Sequence, residues 1–312
     1  MTPIADSFLK LDQEGAAEQV VVRSGGAPGN VGSILSILGV PSLLYGLLGR
    51  DESGERYRRL FAESNFAATG VIRGDNPTGV AVTWYTPYRP GESVVLVAPP
   101  ESPPEHLWTT IGETLEVGDL LYLDGYMLSA LDAPIISLLL RNVGDSSFRV
   151  VWDLAQAGQV AAFSDRLVQI AGTIIESGVS LILLASPQEL EPLGGVKGLF
   201  DELASKRGPG GSGSVRELFL KESPAGCCVY DFGGSKPEVV TRYRGPVVEI
   251  LEDTGIGDAF AAGLISAIWG GAGRSEKHTA AACAVAHSAA TLCAKEVGGF
   301  IRNTTQVAHE RR

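Results

Sequence analysis

The spacing of apolar positions changes character along this chain, and each change marks an element. Val31, Ile34, Leu35 and Leu38 recur at helical intervals and stop at Gly39. They predict a helix entered through Gly25-Gly26-Ala27-Pro28-Gly29-Asn30, with Asn30 at its start. Ser42–Leu48 is a continuous apolar run, read as a buried strand, and Glu55–Ser64 is helical with Tyr57, Leu60 and Phe61 inward. Thr78–Tyr85 and Ser93–Val97 alternate instead, which predicts a hairpin with one wet face. Gln19–Arg23 is a short β-branched strand, and Pro99–Pro104 is a linker.

Beyond the linker, short apolar runs alternate with helical segments. Leu120–Leu123, Phe148–Trp152, Val179–Leu184 and Glu217–Lys221 are the runs, and the pattern is that of a parallel sheet with helices on both faces. Gly194–Ser214 interrupts it and reads as a flexible loop because of its Gly-Pro-Gly-Gly-Ser-Gly-Ser core. Cys227–Phe232 and Val247–Leu251 are further strands, and Ala280–Cys293 is a helix of small residues. Between them, Phe260, Gly263, Leu264, Ala267 and Ile268 share one stripe of a helix over Ala259–Trp269.

Composition adds limits. A chain of 312 residues that is 45% hydrophobic and 20% charged has ample material for a core. A net charge of −11, with no basic block, argues against nucleic acid as a partner. No basic-then-apolar start and no membrane-length apolar run is visible, so a cytoplasmic protein is expected. The four cysteines lack metal-ligand spacing and are read as buried free thiols.

Candidate chemistry lies just before the last-named helical stripe, in Glu252-Asp253-Thr254-Gly255-Ile256-Gly257-Asp258. Gly255, Ile256 and Gly257 form a turn, and Asp258 falls at the helix N-terminus. Free N–H groups and the positive end of the helix dipole hold an anion there without any side-chain cation. An acid beside an anion hole would repel a resting phosphate, so it needs another reason to be there, such as taking a proton from an attacking hydroxyl. The plainer readings are that Asp258 and Asn30 are helix caps.

Those residues carry a resemblance. Glu252–Gly263 resembles the C-terminal signature of the ribokinase-like sugar kinases, the PfkB family: Asp-Thr-Thr/Val-Gly-Ala-Gly-Asp-Ala-Phe-x-x-Gly. Gly25–Asn30 resembles its N-terminal signature, Gly-Gly-x-x-x-Asn, in a Pro28-containing form most like that of fructokinases. Gly49-x-Asp51-x-x-Gly54 and Thr78-Gly79 match as well, and the order agrees over residues 19–300.

The resemblance implies a doubly wound, mostly parallel sheet with a small β lid: an α/β domain over 25–76 and 99–312, with the lid from 7–24 and 77–98. It implies a sugar held by Gly25, Gly26 and Asn30, with Asp6 as the candidate for the substrate aspartate that ends the family's first strand. Asp258 would be the base, and Gly255, Ile256 and Gly257 the anion hole. ATP would lie along the later strands, near Ser186, Lys221, Ser223 and Gly226, with Mg²⁺ ordered through water by Glu189. A monovalent cation beside Glu252 and Thr254, and a homodimer through the lid, are left open.

Several positions depart from the family pattern. Ile256 replaces a small residue, and Ser186-x-x-Glu189 stands for Asn-x-x-Glu. Ser223 replaces a glycine, and Asp153-Leu154-Ala155 lacks the Asn of Asp-Pro-Asn. Met1–Ala5 is barely half of a first strand, so that strand is expected to be shortened or missing. The function implied is ATP-dependent phosphorylation of a primary hydroxyl on a small sugar or sugar acid. The alternatives are a nucleoside kinase of the same family and a non-catalytic descendant that binds a sugar or nucleotide. Lys221 is open between a phosphate contact and a solvated strand end.

Overall fold

The computed structural model describes residues 25–63, 67–75, 77–85, 93–98, 103–116, 118–143, 148–206, 215–222, 226–250, 253–270 and 276–295. Three groups of strands are present among them. Leu43–Gly49 (β1) pairs in parallel with Ala67–Gly74 (β2). Val80–Tyr85 (β3) and Ser93–Ala98 (β4) form the expected antiparallel hairpin, hydrogen-bonded to no other described strand. Six strands make the main sheet: Leu120–Asp124 (β5), Arg149–Asp153 (β6), Ser180–Ala185 (β7), Val215–Lys221 (β8), Cys227–Asp231 (β9) and Glu238–Tyr243 (β10). Their order runs β10-β9-β8-β7-β6-β5. Strands β5 to β8 are parallel, and β9 and β10 are antiparallel additions at one edge. The β1–β2 pair lies outside this sheet, in keeping with a shortened first strand. The residues expected to form that strand, and the lid strand read over Gln19–Arg23, lie outside the described residues.

Strands covered on both faces must be apolar throughout, and all six residues of Ser180–Ala185 are buried. One face packs against Glu105–Thr114 (α3), Ala133–Leu140 (α4) and Ser164–Glu176 (α6), with Trp108, Ile136, Leu139, Leu167 and Ile170 meeting Val150 and Trp152. A short helix over Ala157–Ala162 (α5) precedes α6, and Pro187–Leu190 (α7) follows β7. The other face packs against Ala27–Ile37 (α1), Ile256–Trp269 (α9) and Glu276–Cys293 (α10), with Ile34, Phe260, Leu264 and Ala286 meeting Val151, Leu184 and Phe219. The doubly wound expectation holds.

All four cysteines are free and buried. Cys227 and Cys228 are neighbours on one strand, so they point to opposite faces: Cys228 joins the first core, and Cys227 joins Cys283 and Cys293 in the second.

The structure corrects the local reading in four places. The helix after β1 spans Glu52–Glu63 (α2), three residues earlier than the apolar period suggests, because Asp51 accepts the Gly54 N–H at 2.7 Å and caps the start. Strand β2 carries no clear sequence signal, because its Ala/Gly/Arg-containing sequence does not alternate. The segment read as a loop from Gly194 holds a helix, Gly195–Ala204 (α8), whose Leu199, Phe200 and Leu203 are buried at helical spacing. Val247–Leu251 is no strand as far as Ile250, the last described residue before 253; the antiparallel partner is Glu238–Tyr243, and Val247 is 71% exposed.

A close helix–helix contact lies between α9 and α10. A Cβ placed on Gly263 of α9 would lie 2.7 Å from the Ala286 Cα and 2.9 Å from the Val285 carbonyl oxygen of α10. Helix propensity alone favours Gly263→Ala by roughly 1 kcal/mol. Overpacking against backbone costs about 1–3 kcal/mol, so the steric effect wins. Gly263→Ala is therefore expected to lower the denaturant midpoint with an unchanged m-value; a stabilised variant would show that α10 yields freely.

Candidate active site

The carboxyl ends of β5, β6, β7 and β8 and the N-terminus of α9 converge. Each contributes one charged group: Asp124, Asp153, Glu189 just beyond β7, Lys221 and Asp258. Asp124, Asp153 and Glu189 are buried, the two aspartates each only 2% exposed, while Lys221 and Asp258 are partly buried at the rim.

Gly255, at φ 76°, turns the chain into α9, and Ile256, Gly257 and Asp258 are the first three helical residues. Asp258 is therefore not the N-cap, and no side-chain capping hydrogen bond is made at this terminus. The Asp258 carboxylate accepts instead from Asn30 Nδ2 at 2.7 Å. Asn30 is not a cap either: it lies inside the first turn of α1, where its N–H bonds to the Gly26 carbonyl at 3.0 Å. Two turn-to-helix junctions separated by 228 residues thus meet through one hydrogen bond.

The anion hole is narrower than expected. The Ile256 N–H turns back to the Asp253 carbonyl at 3.4 Å, a consequence of the left-handed turn at Gly255. The open donors are the N–H groups of Gly257 and Asp258, which find no backbone partner among the described residues. A cation lies close to Gly257: a Cβ there would be 3.8 Å from Lys221 Nζ.

Lys221 is not a solvated strand end. Its side chain is 14% exposed, 2.7 Å from Asp153 Oδ1 and 3.9 Å from Glu189 Oε2. Burial works against its charge, but Asp153, Glu189 and Asp258 outweigh that and hold its pKa above the ordinary lysine value. Glu189 also has a local task. With Ser186 it closes a capping box on α7: Ser186 N donates to Glu189 Oε2 at 2.7 Å, and Glu189 N to Ser186 Oγ at 3.3 Å. Serine, shorter than asparagine, is well suited to that box.

Of the remaining expected residues, Gly25 and Gly26 are exposed at the mouth of α1, with open space where a Cβ would sit and φ 85° at Gly26. Gly226 is fixed by its turn: at φ 125°, a Cβ there would strike the Tyr243 carbonyl oxygen at 2.1 Å. Asp6, Ser223 and Glu252 lie outside the described residues.

Asp124, which the sequence reading does not name, and Asp153, named there only as part of an altered motif, both lie in this cluster. Asp124 Oδ1 accepts the Tyr126 N–H at 2.8 Å, and Asp153 Oδ1 accepts the Ala155 N–H at 3.1 Å as well as Lys221. The available signal is an acid ending each of two adjacent apolar strands. Ala155, where the family pattern has Asn, takes φ 57°, a left-handed conformation that Asn tolerates better than Ala. Such strain concentrates at functional sites.

Electrostatically the cluster is crowded with negative charge. Burial pushes the Asp258 carboxyl up to about 6, with Asp153 adding to the rise and the Asn30 amide and Lys221 opposing it. Burial pushes Asp124 further, to about 7, against the Tyr126 and Met127 N–H groups.

No set of three acidic, His or Cys side chains able to cage a metal occurs among the described residues. A lone buried carboxylate such as Glu189 fits a Mg²⁺ ion that keeps most of its waters and shares phosphate oxygens. The open N–H groups and Lys221 fit the phosphates themselves.

The fold and the site together suit an α/β phosphoryl-transfer enzyme, with an acid in the first turn of a helix whose N–H groups are open. The chain matches the profile described as pfkB family carbohydrate kinase over residues 3–305, and it belongs to that family. Its members are phosphotransferases acting on sugars and nucleosides.

Solved structures share the fold. Ribokinase from Thermotoga maritima is 16% identical, covering 97% of this chain and 93% of its own, with a TM-score of 0.71. Fructokinase from Vibrio cholerae O395, bound to fructose, ADP and calcium ion, is 16% identical over 92% of this chain and 91% of its own, with a TM-score of 0.69. Adenosine kinase from Sinorhizobium meliloti is 18% identical over 93% of this chain and 83% of its own, with a TM-score of 0.68. No curated protein matches the sequence.

Two outcomes follow from this geometry. The first concerns Asn30. The family resemblance implies sugar binding for it, which would make Asn30→Leu a KM defect. With Asp258 as the base, its bond to Asn30 would add an effect on kcat, and a hydrogen bond to a charged group is worth about 1.5–3 kcal/mol. Asn30→Leu is expected to lower kcat roughly tenfold or more at pH 6 and to move the acid limb of the pH–rate profile upward, because the amide lowers the Asp258 pKa. A defect confined to KM would return Asn30 to substrate binding alone.

The second concerns Asp124. Its folded pKa of about 7 exceeds the ordinary 3.8, so the folded state holds the proton more tightly than the unfolded state. Stability associated with this group is fully present below about pH 4 and is lost as pH rises through about 7. Asp124→Asn, which keeps the acceptor for Tyr126, should be more stable than the unaltered chain at pH 8 by roughly 1–4 kcal/mol and lose that advantage near pH 4. Equal differences at both pH values would show that Asp124 does not titrate in this window.

Proposed function

We propose that this kinase transfers the γ-phosphoryl group of ATP to a primary hydroxyl of a small sugar or sugar acid. The observation that carries the reading is the Asp258 carboxylate: partly buried, oriented by Asn30, and one residue beyond Gly257 in a helix terminus that has the Lys221 ammonium close to Gly257. The acceptor lies against Gly25, Gly26 and Asn30, under the β3–β4 hairpin acting as a lid.

Asp258 accepts the hydroxyl proton as the oxygen–phosphorus bond forms. Its raised pKa brings it nearer to neutrality, where a general base works best. The Gly257 and Asp258 N–H groups face the negative charge that grows on the phosphoryl oxygens, and Lys221 supplies a positive point charge beside them. Asp153 and Glu189 fix that ammonium in place. Glu189 is the residue that would hold Mg²⁺ through water; when bound, the ion neutralises phosphate charge. Fructose bound to the Vibrio fructokinase supports a sugar acceptor, and the adenosine kinase neighbour keeps nucleosides in the test panel.

The test is turnover of a panel of sugars, sugar acids and nucleosides with Mg-ATP, followed by Asp258→Asn. The variant keeps size and polarity but cannot take a proton. Loss of a general base typically costs ~10²–10⁴ in rate, so kcat should fall at least about a hundredfold while the variant folds and binds ATP. Near-normal kcat would remove Asp258 from the chemistry. ATP binding without turnover of any acceptor by the unaltered chain would favour a non-catalytic descendant.

A further inference from the structure

Helix α2 carries two anchors that the reaction as described does not use. The first is at its N-terminus. The Asp51 carboxylate accepts the Gly54 N–H at 2.7 Å, the Thr78 N–H at 2.7 Å and the Thr78 hydroxyl at 2.6 Å. The Thr78 hydroxyl oxygen in turn accepts the Gly49 N–H at 2.9 Å. These bonds hold the Asp51 carboxyl below its usual range, the Thr78 hydroxyl foremost. The node has no slack: a Cβ on Gly54 would meet the Gly49 carbonyl oxygen at 2.2 Å and Thr78 Oγ1 at 2.7 Å. Thr78 stands two residues before β3, so the node fixes the root of the hairpin to the β1–α2 junction.

The second anchor lies six residues on, about 9 Å along the helix axis. The Tyr57 hydroxyl donates to the Gly25 carbonyl at 2.7 Å. Burial raises the phenol pKa, which keeps it a donor. Nothing among the described residues crowds Gly25 or Gly26 on the Cβ side, and the Tyr57 bond is a direct tie between this turn and α2.

We propose that α2 is a strut between the root of the hairpin and the Gly25–Gly26 turn, and that Tyr57 is a positioning residue for the acceptor. It acts through the Gly25 carbonyl and touches no reacting group. A shift of Thr78 is carried by Asp51 into a rigid helix and leaves it at Gly25. Displacement of the hairpin then changes the place where acceptor hydroxyls are received. The proposal rests on reading the hairpin as a lid and the Gly25–Gly26 turn as an acceptor contact.

The test joins hydrogen exchange with kinetics on the full chain. Thr78→Val removes the hydroxyl at one end of the strut, and Tyr57→Phe removes only the hydroxyl at the other. Both variants are expected to speed amide exchange over residues 25–31 about fivefold or more. For Thr78→Val that change appears some distance from the substitution, and exchange over 25–31 staying within about twofold would overturn the strut. This arm needs no substrate, so it decides even if no acceptor is turned over and the kinase reading fails.

Where an acceptor is phosphorylated, each variant should raise acceptor KM about five- to fiftyfold and leave ATP KM within about twofold. A merely structural hydroxyl would lower the melting temperature and leave KM alone. The double variant should raise KM little beyond the larger single effect, because both changes cut one path. Multiplicative effects would overturn the coupling.

Discussion

A negative charge taken out of water is the constraint on which this structure turns. Among the described residues, four carboxyl groups, from Asp124, Asp153, Glu189 and Asp258, meet at the carboxyl end of the sheet, the last three of them around the ammonium of Lys221. An isolated carboxylate in such surroundings would simply take up a proton. Here the charge is shared: Lys221 lies against Asp153 and Glu189, Asn30 donates to Asp258, and backbone N–H groups serve Asp124, Asp153 and Glu189. Burial that these partners do not fully offset leaves Asp258 and Asp124 with raised pKa values. The parallel sheet is what makes the meeting geometrically simple, since four adjacent strands end at one level and each delivers one residue.

The sequence shows the frame well and the connections poorly. Parallel strands buried on both faces must be unbroken apolar runs, so Leu120–Leu123 and Val179–Leu184 stand out at once, and Phe260, Gly263 and Leu264 mark their helix by period. Edge elements carry no such demand. Strand β10 alternates weakly, with Glu238, Val239 and Arg242 exposed, and has no comparable signal. Helix α8 is hidden by the glycines at its entry. In the site, Asp258 and Asn30 are legible because each follows glycines at a helix entry. Their direct contact is not, since nothing local in the sequence joins residues so far apart. Asp124 and Asp153 are obscure for a similar reason: a single acid at a strand end becomes informative only when the neighbouring strand ends the same way.

The departures from the family pattern also become intelligible as local chemistry. Ser186 caps α7 through its oxygen, and Glu189 answers it, so the exchange of Asn for Ser preserves a structural function. Ile256 uses its N–H within the turn, and its partly buried side chain packs against the second core. Ala155 is the exception. It holds a left-handed backbone without the side chain best adapted to it, and the Asp153 carboxylate fixes its N–H in place.

The distribution of sulfur has a practical consequence. One thiol, Cys228, is sealed in the core under α3, α4 and α6, while Cys227, Cys283 and Cys293 are sealed in the core under α1, α9 and α10. A buried thiol is inert to alkylating reagents until its surroundings open. The two faces of the sheet therefore carry separate chemical clocks, and the rate at which each cysteine is labelled reports how often its own face breathes. Because α1 and α9 lie over only one of those faces, ligands that bridge their N-termini should slow the three clocks on that side and leave the fourth running.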